Sequence, residues 1–152
     1  MTPDPHHYYL DSNFFIAALE QGDDGCASML QAACTGAVLA TTSALTLAEV
    51  LTRPLAAAQV PQNRSLIARY DALFEGGSLQ IWPVDKPVLR AAAAASAGGA
   101  MALPDSIHVA SAMVAGCDVF VSDDRHLRLP GEMTHIRLAA LPAFTLQARR
   151  PL

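Results

Sequence analysis

The chain has 152 residues, a formal net charge of −4 and 52% hydrophobic residues. This length fits a single domain over residues 1–152, and the apolar fraction is sufficient for a sizeable core. The net charge is mildly acidic and no segment resembles a basic arm or a polybasic tail, so charge does not indicate a nucleic-acid partner. The three cysteines, Cys26, Cys34 and Cys117, have no disulfide or zinc-site spacing, which indicates free thiols in a reducing compartment.

No segment has the pattern of a secretory signal or a membrane span. Residues 1–7 lack a basic segment followed by an apolar run. The longest apolar stretch, residues 91–102, is too short to cross a bilayer and is interrupted by Ser96, Gly98 and Gly99. We therefore expect a cytoplasmic protein without a membrane partner.

Hydrophobic periodicity and turn residues divide the chain into alternating strands and helices. In chain order the prediction is strand 8–10, helix 13–20, helix 26–34, strand 38–42, helix 44–53, helix 64–74, strand 79–84, helix 86–96, helix 104–115, strand 119–121 and strand 134–138. Residues 22–25 predict a break between the first two helices, and Ser43 is predicted to cap the helix that follows it. Pro83 indicates that the third strand lies at an edge of the sheet. The alternation favours a parallel sheet covered by helices on both faces, the α/β class.

Acidic residues occur where the predicted strands end. Asp11 follows the first strand, and Asp123 and Asp124 follow the fourth. Asp105 opens the helix that leads to the fourth strand, and Glu49 lies on the helix after the second. In an open parallel sheet the ligand site lies beyond the carboxyl ends of the strands, where the strand order reverses. We therefore expect several of these carboxylates to converge there.

Converging carboxylates repel one another. At a separation of about 5 Å and an effective dielectric constant near 20, each pair costs roughly 3 kcal/mol. A cation removes this cost, and oxygen ligands suit Mg²⁺ or Mn²⁺. Such an ion lowers the pKa of a bound water and stabilises charge on a phosphoryl oxygen. Phosphodiester hydrolysis is the chemistry that this pattern predicts.

Four segments together resemble the motifs of the PIN domain family. In chain order they are YLDSNFFI (9–16), SALTLAEVL (43–51), LPDSIHVASA (103–112) and DVFVSDDRHL (118–127). The resemblance extends over nearly the whole chain. It implies a three-layer α/β/α sandwich with a central parallel sheet, and Mg²⁺- or Mn²⁺-dependent cleavage of RNA.

Residue by residue, the resemblance implies an acidic quartet. Asp11, Asp105 and Asp124 would hold the metal, and Glu49 would complete the shell or orient the attacking water. The residues assigned to support these acids are Ser12, Ser122 and Asp123. Asp123 is an extra carboxylate next to Asp124, and the register of the motif favours Asp124 as the residue that faces the metal. Candidates for substrate contact are Asn13 and Arg125.

The small size also resembles the toxin half of bacterial VapBC toxin–antitoxin pairs. That resemblance implies a homodimer, an RNA substrate and a cognate antitoxin that covers the site.

Each acidic residue also has an ordinary structural interpretation. Asp11 can cap the first helix, Glu49 can pair with Arg53, and Asp105 can complement a helix dipole. Asp123 and Asp124 can form a polar turn. For His108, one turn beyond Asp105, a hydrogen bond to a neighbouring helix is favoured over contact with substrate.

Two alternative functions stay open at this level. One is a PIN-like module that binds RNA or protein without catalysis. The other is a magnesium-dependent phosphatase of the haloacid dehalogenase type, which requires a second aspartate two residues after the first. This chain has Asn13 at that position.

Overall fold

The computed structural model describes residues 5–141, whose centre is a five-stranded parallel sheet. Its strands are β1 (His7–Leu10), β2 (Leu39–Ser43), β3 (Gln80–Trp82), β4 (Val119–Val121) and β5 (Thr134–Ile136), in the spatial order β3-β2-β1-β4-β5. The chain proceeds outward from β1 to β3 and then crosses to β4 on the other side of β1. The strand order therefore reverses between β1 and β4, and the carboxyl ends of these two strands form the expected ligand position.

Helices connect the strands. Within the described residues they are α1 (Ser12–Glu20), α2 (Asp24–Cys34), α3 (Ala44–Ala56), α4 (Pro61–Glu75), α5 (Lys86–Ser96) and α6 (Leu103–Ala115), followed after β5 by a 3₁₀ turn (Leu138–Ala140). None of these helices combines the length and the apolar composition that a membrane crossing requires.

The alternation of side chains along β1 separates two core regions. Tyr8 and Leu10 belong to the larger region, where α1, α2 and α4 contribute buried side chains. Tyr9 points the other way and packs with Phe120 of β4 and Val109 of α6. Further buried contacts join α5 to α6. The helices thus form layers on both faces of the sheet, and the predicted three-layer α/β/α sandwich with a central parallel sheet is confirmed.

Two helices begin two or three residues earlier than their sequence pattern indicates, and α1 and α6 begin one residue earlier. We expected a break over residues 22–25, but α2 begins at Asp24 because the Asp23 carboxylate caps it, accepting from the Cys26 amide at 2.9 Å. Helix α4 begins at Pro61 rather than at Arg64, since proline is well suited to a first helical position.

Helix α3 ends later than predicted, at Ala56 instead of Arg53. Pro54 lies in its last turn, where the missing amide removes only one hydrogen bond. The two outer strands are shorter than predicted, because a strand at an edge is paired on one side only. The edge position of β3 that Pro83 indicated is confirmed.

A core substitution tests the packing of the larger region. Phe15 is fully buried and lies 5.3 Å from Phe14 between ring centroids. We expect Phe15→Ala to lower the free energy of unfolding by roughly 3–5 kcal/mol, through lost burial and a cavity. Urea denaturation measures this change. Leu89→Ala is the control, because Leu89 is 46% exposed and its loss should change stability by about 0.5 kcal/mol or less.

Candidate metal centre

Asp11 lies at the junction of β1, β4 and α1. Its backbone amide continues the sheet by donating to the Val121 carbonyl at 3.2 Å. Its carboxylate caps α1, accepting from the Ser12 amide at 2.8 Å through Oδ1. The other oxygen, Oδ2, accepts from the Ser122 hydroxyl at 2.7 Å. The helix-cap interpretation is therefore correct and does not exclude a site, since the same buried carboxylate also faces the other acids.

Ser122 joins the first and fourth acidic segments. Its hydroxyl donates to Asp11 and accepts from the Asp124 amide at 3.0 Å and from Asn13 Nδ2 at 3.3 Å. The side chain is fully buried, so these contacts are shielded from water. The other amide atom of Asn13, Oδ1, is buried without a hydrogen-bond partner. A buried oxygen of this kind is costly unless a ligand, water or ion completes it.

Glu49 and His108 meet Asp11 from two different helices. His108 Nε2 on α6 is hydrogen-bonded to Glu49 Oε1 on α3, and it lies 3.6 Å from Asp11 Oδ1. One ligand atom from each of these three residues lies within 4.8 Å of the other two. The predicted hydrogen bond from His108 to a neighbouring helix is present. The alternative pairing of Glu49 with Arg53 is not what the structure shows, because Arg53 pairs with Glu20.

Tyr9 holds the opposite side of the His108 ring. Its hydroxyl is hydrogen-bonded to His108 Nδ1 at 2.6 Å, and both side chains are buried. Tyr9 is not among the site residues that the sequence motifs predict. Its position on a strand predicted to be buried could have indicated this contact. A buried tyrosine needs a hydrogen-bond partner for its hydroxyl, and the strand ends beside the predicted site.

Asp105 lies in the first turn of α6, beside this group. Burial raises the pKa of its carboxyl, and the charges of Asp124, Asp11 and Glu49 raise it further, while His108 partly offsets them. The pKa of His108 itself would be lowered by burial, but its hydrogen bond to Glu49 and the nearby carboxylates outweigh burial and raise it. The charges of the other three acids of the predicted quartet therefore all act on Asp105.

The two neighbouring carboxylates after β4 have different surroundings. Asp123 is exposed, and its Oδ1 accepts from the Leu138 amide at 2.9 Å and from Arg137 Nε at 3.4 Å. Asp124 is half-buried, accepts from the His126 amide at 2.8 Å, and raises the pKa of Asp105. These positions support the preference for Asp124 over Asp123, although the metal-facing residue stays a prediction. Arg125 lies exposed at the rim.

The residues of this centre fit a divalent cation. Asp11 and Glu49 supply carboxylate oxygens close together, and Asp105 and Asp124 add negative charge nearby. The uncompensated Asn13 oxygen is a further oxygen donor at the same end of the sheet. A donor set dominated by oxygen suits Mg²⁺ or Mn²⁺.

Comparison with protein families gives one decisive match: the model described as "PIN domain" matches residues 8–132. The chain belongs to the PIN domain family. The family that the four sequence motifs indicated is therefore confirmed. No curated protein matches this PIN domain at a significant level.

Several solved structures share this fold at low sequence identity. PAE2754 from Pyrobaculum aerophilum has a TM-score of 0.66 at 14% identity, over 96% of this chain and 99% of that one. FitAcB from Neisseria gonorrhoeae has a TM-score of 0.62 at 20% identity, over 88% of this chain and 99% of that one. The DNA-bound VapBC of Salmonella typhimurium has a TM-score of 0.62 at 18% identity, over 88% of this chain and 98% of that one.

The charge repulsion around Asp105 gives a testable stability difference. A carboxyl whose pKa is raised by folding destabilises the folded state once pH exceeds its unfolded-state pKa, because the ionised form is disfavoured there. In EDTA at neutral pH, Asp105→Asn should therefore raise the Tm, measured by differential scanning calorimetry. With saturating Mn²⁺ the unmodified protein should instead have the higher Tm, because it binds the ion and the variant binds it more weakly. A ligand at 100 times its Kd stabilises the folded state by about 2.7 kcal/mol.

Asp71→Asn is the matched control for this experiment. Asp71 is a half-buried carboxylate on α4. Its substitution should leave the response of the Tm to Mn²⁺ unchanged. A lower Tm of Asp105→Asn in EDTA would contradict the repulsion described here.

Proposed function

We propose that this PIN domain is a metal-dependent endoribonuclease that hydrolyses RNA phosphodiester bonds. The observation that carries the proposal is the close approach of Asp11 and Glu49, with Asp105 and Asp124 beside them, where the strand order reverses. Like charges brought this close are unfavourable without a cation. We infer that the protein retains them because it binds Mg²⁺ or Mn²⁺.

Asp11, Asp105 and Asp124 would hold the ion. When bound, Mg²⁺ or Mn²⁺ supplies a Lewis acid for a phosphoryl oxygen and an acidified water as nucleophile. Asp11 is prepared for this role, since the Ser12 amide and the Ser122 hydroxyl fix its carboxylate. Preorganised ligands avoid reorganisation during the reaction.

Glu49 would complete the shell or orient the attacking water. Its Oε1 is held by His108, which leaves the second carboxylate oxygen to accept from that water. Asn13 lies against Ser122, and Arg125 lies exposed at the rim. Both stay candidates for contact with the RNA backbone, which Arg125 can reach as a cationic donor.

The structure gives less support to the two alternative functions. A phosphatase of the haloacid dehalogenase type needs an acid at position 13, but the Asn13 amide donates to Ser122 there. A module without catalysis would have no need to bring mutually repelling carboxylates together. The complete quartet therefore favours the nuclease.

We further propose that the chain is the toxin of a type II toxin–antitoxin pair. The support is fold similarity to a protein described as a toxin–antitoxin complex from Klebsiella pneumoniae, at a TM-score of 0.54, and to VapBC2 from Rickettsia felis, at 0.61. A cognate antitoxin, a homodimer and a cytoplasmic location follow from this proposal and stay predictions.

RNA cleavage by the purified protein tests the nuclease proposal. We expect cutting with Mn²⁺ or Mg²⁺ and none with EDTA. Asp11→Asn and Asp105→Asn should each lower the rate at saturating metal by at least about 10²-fold, the scale of losing one preorganised electrostatic group. Circular dichroism should show that both variants stay folded.

Asp71→Asn serves here as the control and should cleave at the rate of the unmodified protein. An undiminished rate in Asp105→Asn at saturating Mn²⁺ would contradict the assignment of the site. Mn²⁺ binding without cleavage of any RNA would favour the non-catalytic module.

A further inference from the structure

We propose that His108 and Tyr9 are positioning residues, which hold the Glu49 carboxylate in place and act on the reaction only through it. The inference rests on the proposed function, in which Glu49 completes the shell of the ion or orients the attacking water. It follows from the different ways in which the acids of the centre are held.

Glu49 is freer to move than the buried aspartate of the centre. Asp11 is fixed beside its own backbone, because its carboxylate accepts from the Ser12 amide at 2.8 Å and from the Ser122 hydroxyl at 2.7 Å. Glu49 has a longer side chain, lies within α3 and is 33% exposed. Glutamate is among the side chains that lose most rotamer freedom when they are fixed. It therefore needs a partner outside its own helix.

His108 is that partner. Among the described residues, it is the one hydrogen-bond partner of the Glu49 side chain. A carboxylate only accepts, so Nε2 of the imidazole donates. The imidazole reaches Glu49 from α6 and is 1% exposed, so it cannot turn away toward solvent. A buried donor of this kind keeps the Glu49 carboxylate close to Asp11.

Tyr9 fixes the other side of the imidazole. Its hydroxyl is hydrogen-bonded to His108 Nδ1 at 2.6 Å, and the two rings meet edge to face with their centroids 5.9 Å apart. A hydroxyl both donates and accepts, so this contact forms whether the imidazole is neutral or protonated. The Tyr9 ring is stacked on Phe120 of β4 at a centroid distance of 4.8 Å. The support of Glu49 thus starts in the sheet and passes through two buried rings.

Loss of this support should lower the rate of the reaction more than the binding of RNA. Misplacing a reacting group by about 1 Å, through a change far from the chemistry, can lower a rate by about 10²-fold. Tyr9 is fully buried, so it does not contact the substrate. We therefore expect its substitution to lower kcat and to leave KM nearly unchanged.

Steady-state cleavage at saturating Mn²⁺ measures this effect. Tyr9→Phe removes only the hydroxyl and should lower kcat by about tenfold, the scale of losing an outer-shell partner at a metal centre. His108→Leu should lower kcat by about 10²-fold. His108→Gln is the conservative variant, because its amide nitrogen can take the place of Nε2, and it should keep most of the rate.

Tyr70→Phe is the matched control for the loss of the Tyr9 hydroxyl. Tyr70 is also fully buried, and its hydroxyl also serves a carboxylate, donating to Glu20 Oε2 at 2.6 Å. Glu20 is not part of the candidate centre. The control should therefore leave both kcat and KM unchanged.

A double-mutant cycle separates positioning from a general loss of structure. If Tyr9 acts only through Glu49, adding Tyr9→Phe to Glu49→Gln should change kcat by less than about twofold. An equal loss of rate from Tyr9→Phe with and without Glu49→Gln would overturn the proposal, because the hydroxyl would then act independently of Glu49.

Crystal structures of the metal-free variants give a readout that does not depend on activity. The Glu49 carboxylate should contact His108 in the unmodified protein and in Tyr70→Phe. In His108→Leu it should turn toward solvent or lose its ordered density, and in Tyr9→Phe its density should weaken. If His108→Leu does not fold, Tyr9→Phe still decides the question. A Glu49 carboxylate that is unmoved and equally ordered without these supports would overturn the positioning role.

Failure of this inference and failure of the proposed function are distinguishable. Cleavage by the unmodified protein, with kcat unchanged in Tyr9→Phe and His108→Leu, would overturn the positioning role and leave the nuclease intact. No cleavage by the unmodified protein would overturn the proposed function, whereas the crystal structures would still decide whether His108 and Tyr9 hold Glu49.

Discussion

Mutual repulsion of carboxylates is the constraint on which the rest of this structure depends. The topology brings the ends of β1 and β4 together, and both are followed by aspartates. Around them the protein places fixed donors: the Ser12 amide, the Ser122 hydroxyl and the His108 ring. These contacts explain why position 122 has a small hydroxyl side chain and why a histidine is fully buried in α6.

Much of this architecture could be predicted from sequence because its signals are local. Asp11 and Asp124 follow short apolar strands, and parallel strands have their carboxyl ends at one edge of the sheet, so their proximity follows from the order of the elements. Ser43 caps α3 as predicted, with its hydroxyl 3.1 Å from the Leu45 amide. Helix α5 and strand β4 have the bounds that their patterns indicated.

The remainder depends on contacts between residues distant in sequence. The position of His108 in α6 indicated a partner on another helix, but nothing local identifies Glu49 and Tyr9 as the two residues that bind it. In α6, Ile107, Ala110, Ser111 and Val114 recur at helical spacing, which by itself predicts one buried stripe, but Val114 is 39% exposed. The helix is covered by both the sheet and α5, so its buried surface is wider than one stripe and extends through residues 108–112. Periodicity along one helix does not contain that information.

Asp11 has a consequence for how such a protein can change over evolutionary time. Its carboxylate both caps α1 and belongs to the candidate centre. Replacing an aspartate N-cap with alanine typically lowers stability by about 0.5–2 kcal/mol, whereas asparagine caps nearly as well. Under the proposed function, a lineage that loses activity through alanine at this position also loses part of its folding stability. Inactive descendants that remain well folded should therefore more often have asparagine, a one-atom change that keeps the helix start and removes the charge.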